Sequence, residues 1–226
     1  MKAVISVLLL ALAPALFADS GTLTPSEREY LVQQLETSKA EMLASIQGLT
    51  QDQWKFKPAP DVWSVQECAE HLIKAEGLLF GAAQQGLTTP AVERPATSNT
   101  ERDQKIVAMI KDRSKKAKAP EPLVPSGQFA TPADAIQAFT LARDKSIEYV
   151  QSTNDPLRVH IIKNGPVGDV DAYQLLLIMA AHTARHTAQI KEVEANPGYP
   201  PATQKTTQTF RQITKPQSVG ALFTAD

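Results

Sequence analysis

The sequence predicts an all-α fold, a four-helix bundle with a long crossover between its second and third helices. Two observations carry this. Four long stretches repeat apolar residues at helical spacing, and each opens on residues suited to cap a helix. No stretch alternates apolar and polar residues convincingly enough to predict a strand.

The chain opens on "MKAVISVLLLALAPALFADS", a lysine followed by an apolar run and then small residues. That order predicts a secretory signal peptide over residues 1–18, cut after Ala18. The run is too short, and too interrupted by alanine and proline, to make a good membrane span. No cysteine follows it to carry a lipid. The expected mature protein is periplasmic or secreted, with no stable membrane insertion, and begins a domain covering residues 19–196.

The first helix is predicted from about Pro25 to Gly48. Thr24 is its cap, and Leu31, Leu35, Met42, Ile46 and Leu49 form one stripe. The second starts at "WSVQECAEHL", where Ser64 and Glu67 have the spacing of a capping box. Val65, Cys68, Ala69, Leu72 and Leu79 share its apolar face. The third runs from about Thr131 to Gln151, with Thr131 and Pro132 as cap and first residue. Ala135, Ala138, Phe139, Ala142, Tyr149 and Val150 point inward. The fourth begins near Asp171, with Gln174 three residues on, and ends where "NPGYPP" stops it. The connection between the second and third helices is loop-like at both ends. Its middle, 101–117, has room for a short helix with Ile106, Met109 and Ile110. Residues 197–226 read as a polar, flexible tail.

Composition narrows the function. The formal charge is −1 over 226 residues, and removing Lys2 with the signal takes it to about −2. Such a chain carries no nucleic-acid footprint. Its one basic run, "KDRSKKAK", suits a solvated helix end. The single cysteine excludes an internal disulfide. A homodimer and a small-molecule substrate remain open.

The informative stretch is "AAHTARHTAQI", residues 180–190, which holds two of the chain's four histidines. At about 100° per residue, His186 lies about 40° from His182, and Leu175 and Val193 fall about 20° from it. Both imidazoles therefore face the core. A buried imidazole needs partners for its nitrogens, and two on adjacent turns double the need. A shared divalent metal meets it, because side chains on adjacent turns converge on one ion. Hydrogen-bonded core histidines are the alternative. His71, at the border of the second helix's apolar face, supplies a third nitrogen if the second and fourth helices are neighbours. Three nitrogen ligands leave a position open for water or substrate. His160 reads as a loop residue. Cys68 reads as a small buried hydrophobe. Gln189 falls on the core stripe and can orient a ligand or meet substrate. Arg185 flanks the stripe and can bind an anion or reach solvent. Trp63 staples the helix start or closes the site. No carboxylate stands out as a general base: Glu67 is explained by capping, and Glu70 points away from the core face.

Taken together, "FKPAPDVWSVQECAEHL" and "HTARHTAQI" resemble the DinB-like superfamily, also called DinB/YfiT-like, over about residues 25–196. Trp63, Ser64, Glu67 and His71 match its W-S-x-x-E-x-x-x-H habit. The resemblance implies a four-helix bundle whose metal is held by one histidine of the second helix and an H-x3-H pair of the last. Those positions are His71, His182 and His186 here. It also implies a choice of chemistry, since some relatives transfer a low-molecular-weight thiol such as bacillithiol, mycothiol or glutathione. An export signal separates this chain from cytoplasmic relatives, where such thiols are abundant. The expectation is an exported metal-dependent enzyme in which a tris-histidine metal activates water or a thiol for hydrolysis or S-transfer. Zinc is the first choice of ion and nickel the second. A non-catalytic metal-binding bundle, for storage or envelope stress, is the alternative. An interaction module with ordinary core histidines is a third reading.

Overall fold

The computed structural model describes residues 21–92, 99–116 and 118–202. The predicted signal peptide and most of the predicted tail, residues 203–226, lie outside the described residues.

Four long helices form the bundle: α1 (Pro25–Ile46), α3 (Val65–Gly86), α5 (Pro132–Ser152) and α6 (Ala172–Glu194). Each opens on a reciprocal capping box, from Thr24, Ser64, Thr131 and Asp171 respectively. Two shorter helices join them, α2 (Gln51–Lys55) and α4 (Asn99–Lys111). α4 is the helix expected inside the crossover. It packs on α6 through Ile106, with Ile110 partly buried, and Met109 is exposed. At the site of Met109 the helix has already turned its face to solvent.

The prediction of no strands is corrected. β1 (Ile161–Gly165) and β2 (Gly168–Asp171) form a short antiparallel hairpin that leads directly into α6. Ile161 pairs with Asp171 and Ile162 with Val170, and the register shifts before Gly165. The hairpin rests on the end of α3. Gly86 has no side chain there because a Cβ would lie 2.5 Å from Ile162 Cγ1. His160, just before β1, bridges to Ala91, and its Nδ1 donates to the Thr89 carbonyl.

The core falls into two apolar halves. One gathers Leu31, Leu35, Ala75, Leu79, Ile147, Val150 and the first turns of α6. The other gathers Met42, Ile46, Trp54, Cys68, Leu72, Phe139, Ile190 and Val193. Each long helix thus changes from one half to the other midway. The residues at the change are polar: Ser38 on α1, Glu76 on α3, Arg143 on α5, and Thr183 with His182 and His186 on α6. This polar belt positions the site.

Candidate metal centre

α3 packs along α6, which brings His71 opposite the H-x3-H pair. The ring centroids of His71 lie 4.9 Å from His182 and 4.5 Å from His186, and those of His182 and His186 are 4.6 Å apart. One ligand-capable nitrogen from each residue falls within 4.8 Å of the other two. Among the described residues, this is the one group of three or more such side chains close enough to share an ion.

The outer nitrogens of His71 and His186 have their own partners. His71 Nδ1 donates to the Leu123 carbonyl at 2.9 Å, and His186 Nδ1 donates to Gln189 Oε1 at 2.8 Å. Each bond places the ring proton on Nδ1 and turns the lone pair of Nε2 toward the cluster. His182 and His71 meet through their Nε2 atoms at 3.1 Å, where His182 can donate to the His71 lone pair.

Burial lowers the basicity of all three. Loss of solvent is the main cause for His71, against a rise from the Leu123 hydrogen bond. It takes His182 down to about 3, helped by the charges of His71 and Arg185. It takes His186 down to about 2, helped by its two neighbours in the cluster. Neutral imidazoles are what a metal needs as ligands. The residues therefore fit a divalent ion in number, spacing and charge, and His71 and His186 fit it in tautomer as well.

The surroundings sort the remaining candidates. The ring of Trp63 stacks on His186 at 6.0 Å and tilts against His71 at 4.9 Å, so it walls the cluster. Gln189 is an orienting residue, and its Oε1 also meets Arg113 Nη1 at 3.4 Å. Arg185 is not presented to an anion. Its guanidinium donates to the carbonyls of Ile110, Asp112 and Lys115 and so ties down the end of α4. Cys68 is no part of the cluster, and burial pushes its thiol well above the usual range. His160 stands apart as a satisfied loop histidine.

The reading of Glu70 is corrected: its side chain is fully buried rather than turned away from the interior. The wheel showed that it avoids the α6-facing stripe. It could not show that the crossover loop comes down on that other face. Arg143, which sequence reasoning missed, donates from Nε and Nη2 to both oxygens of Glu76 at 2.8 and 2.5 Å. The signal was present, since Arg143 sits a turn from Phe139 on the inward stripe.

The fold and this centre together define a helical-bundle protein of the DinB type. The family model described as the DinB superfamily matches residues 34–190, and the chain belongs to that family. It is 22% identical over 157 residues to the uncharacterised protein YuaE of Bacillus subtilis (strain 168), covering 70% of this chain and 93% of YuaE. Among solved structures it resembles YfiT from Bacillus subtilis, described as a probable metal-dependent hydrolase with an unusual four-helix bundle topology. That likeness has a TM-score of 0.52 and 15% identity, and covers 79% of this chain and 92% of YfiT.

Proposed function

We propose that the protein is an exported metal-dependent enzyme of the DinB superfamily, in which His71, His182 and His186 hold one divalent ion, zinc before nickel. The observation that carries the reading is the convergence of three neutral imidazoles, two of which, His71 and His186, already have their outward nitrogens bonded. A bound ion would supply Lewis acidity toward water or a thiol. The description of YfiT as a probable hydrolase favours hydrolysis over S-transfer.

The chain's own residues have defined parts in this reading. The three histidines bind, the Leu123 carbonyl orients His71, Gln189 orients His186, and Trp63 shields one side from solvent. Nearby carboxylates are committed elsewhere. Glu67 pairs with Lys57 and caps α3, Glu76 pairs with Arg143, and Glu192 pairs with Arg113. The site therefore offers electrophilic rather than carboxylate acid–base chemistry.

Elemental mass spectrometry of the purified protein is the test. About one equivalent of metal is expected in the wild type and little in His186→Ala. No metal after reconstitution with zinc and nickel overturns the reading. A panel of ester, amide and thiol-acceptor substrates, assayed with and without added thiol, then separates hydrolysis from transfer. Export is checked by fractionation and N-terminal sequencing, with Asp19 expected first.

A further inference from the structure

The crossover loop does more than join α3 to α5. A single 3-10 turn (Glu121–Leu123) and the residues after it lie along one face of α3. Glu70 is the centre of that contact. Its Oε1 accepts from the Ser126 N–H at 2.7 Å and the Ser126 hydroxyl at 2.8 Å. Its Oε2 accepts from the Gly127 and Gln128 N–H groups at 2.8 and 3.0 Å. Three successive backbone N–H groups thus close around one buried carboxylate, the anion-binding arrangement called a nest. Gly127 makes the curvature possible with φ +83°, a conformation that side-chain-bearing residues rarely adopt. Lys74 pairs with Glu70 at 2.8 Å and donates to the Val124 carbonyl at 2.8 Å, and Gln66 donates to the Phe129 carbonyl at 2.7 Å.

The same loop supplies the Leu123 carbonyl that takes the His71 Nδ1 proton. Glu70 and His71 are adjacent in sequence, so one turn of α3 both grips the loop and receives its carbonyl. We propose that Glu70 is a positioning residue: by seating the loop at residues 126–128, it holds Leu123 where it fixes the His71 tautomer and directs Nε2 toward His182 and His186. The importance for metal binding rests on the function proposed above; the tautomer control does not.

Replacing Glu70 by glutamine keeps the shape but turns one acceptor into an N–H₂ donor facing backbone N–H groups. Gly127→Ala attacks the nest from the loop side, where a Cβ has open space and only the positive φ is strained. Both variants are compared with the wild-type full chain by long-range proton–nitrogen-15 spectra of the histidine rings in metal-free protein. Zinc affinity is then measured by competition with a chromophoric chelator. His71 is expected wholly as the Nδ1–H tautomer in the wild type and as a mixture in both variants. Zinc binding should weaken by about tenfold or more, as for other outer partners of metal ligands. Glu27→Gln, remote from the loop, should change neither reading. If a variant loses thermal stability while tautomer and zinc affinity stay those of the wild type, Glu70 is structural only and the proposal fails. If Glu70→Gln does not fold, Gly127→Ala decides alone. If the wild type binds no zinc but the tautomer still shifts, Glu70's positioning role stands and the metal reading falls.

Discussion

Arg143 and the three histidines occupy the same polar belt, yet they solve burial in opposite ways. The Arg143 guanidinium is 0% exposed and has five N–H groups. All five are used: two bonds to Glu76, one each to the Leu35 carbonyl, the Ser38 hydroxyl and the Thr183 hydroxyl. Those partners come from α1, α3 and α6, so the node ties all four long helices. The histidine cluster bonds the outer nitrogens of His71 and His186 to fixed partners and brings one ligand-capable nitrogen of each ring within 4.8 Å of the other two. One arrangement is closed and complete without a ligand. The other is pre-arranged for something to enter. A buried polar group can therefore serve the fold or a ligand, and the direction of its unsatisfied atoms tells which.

The comparison is broken most severely at the node. Arg143→Ala leaves the Glu76 carboxylate buried and unpaired, and should cost about 3–5 kcal/mol in urea unfolding. The double variant Arg143→Met with Glu76→Leu should recover most of that loss, because an apolar pair removes both desolvation penalties. Recovery would show the node to be replaceable for stability. A double variant as unstable as Arg143→Ala would mean that the hydrogen bonds to Leu35, Ser38 and Thr183 carry the stability instead.

The cluster should behave in the reverse sense. His186→Leu is expected to leave the metal-free protein within about 1 kcal/mol of wild type, or more stable, since a desolvated imidazole is replaced by an apolar side chain. Zinc at about a hundredfold excess over its Kd should stabilise the wild type by about 2.7 kcal/mol, and His186→Leu not at all. His160→Ala, with its ring bonded to Thr89 outside the cluster, should retain the full zinc effect. Thermal melts with and without zinc measure all three. Equal destabilisation of the metal-free protein by His186→Leu and Arg143→Ala would remove the distinction between the two regions.

The helices and the His182–His186 pair were legible in sequence for the same reason: both depend on periodicity within one helix, whereas His71 needed α3 to lie beside α6. Thr24, Ser64, Thr131 and Asp171 announce their helices locally, and H-x3-H fixes His182 and His186 on one face whatever surrounds them. What packs against a second face is set by tertiary structure. Glu70 looked external because the crossover is not periodic, and nothing local shows that Ser126–Gln128 folds over it. Arg143 was hidden by its type, since an arginine on an apolar stripe is easily passed over unless its partner, Glu76, is known to lie opposite. The hairpin was missed because its strands are only five and four residues long, although Asn164-Gly165 is a turn signal.

A second arginine gives the mildest test of the same idea. Arg158 gathers Glu27 from α1, Asp103 from α4 and Asp171 from the end of β2, and its guanidinium lies 3.6 Å over the Tyr173 ring. Partial burial alone would raise the Glu27 carboxyl, but hydrogen bonds from Thr24 and the charge of Arg158 outweigh it and hold the group below its ordinary value. A carboxyl depressed in the folded state stabilises the protein above its unfolded pKa, and that contribution is lost as pH falls through the lowered folded value. Glu27→Gln keeps a capping-box side chain, removes the charge and turns one of the two acceptor oxygens that face Thr24 and Arg158 into a donor. It should cost about 1 kcal/mol or less at pH 7, because Glu27 is partly exposed. The gap from wild type should narrow as pH drops below about 4.5, where the unfolded chain's carboxyl begins to take up its proton, and close once the folded carboxyl is protonated too. Urea midpoints at pH 7 and pH 3 measure it. A gap that stays constant with pH would mean that Glu27 acts through shape rather than charge, and that Arg158 is already satisfied by Asp103 and Asp171, as completely closed as the Arg143 node.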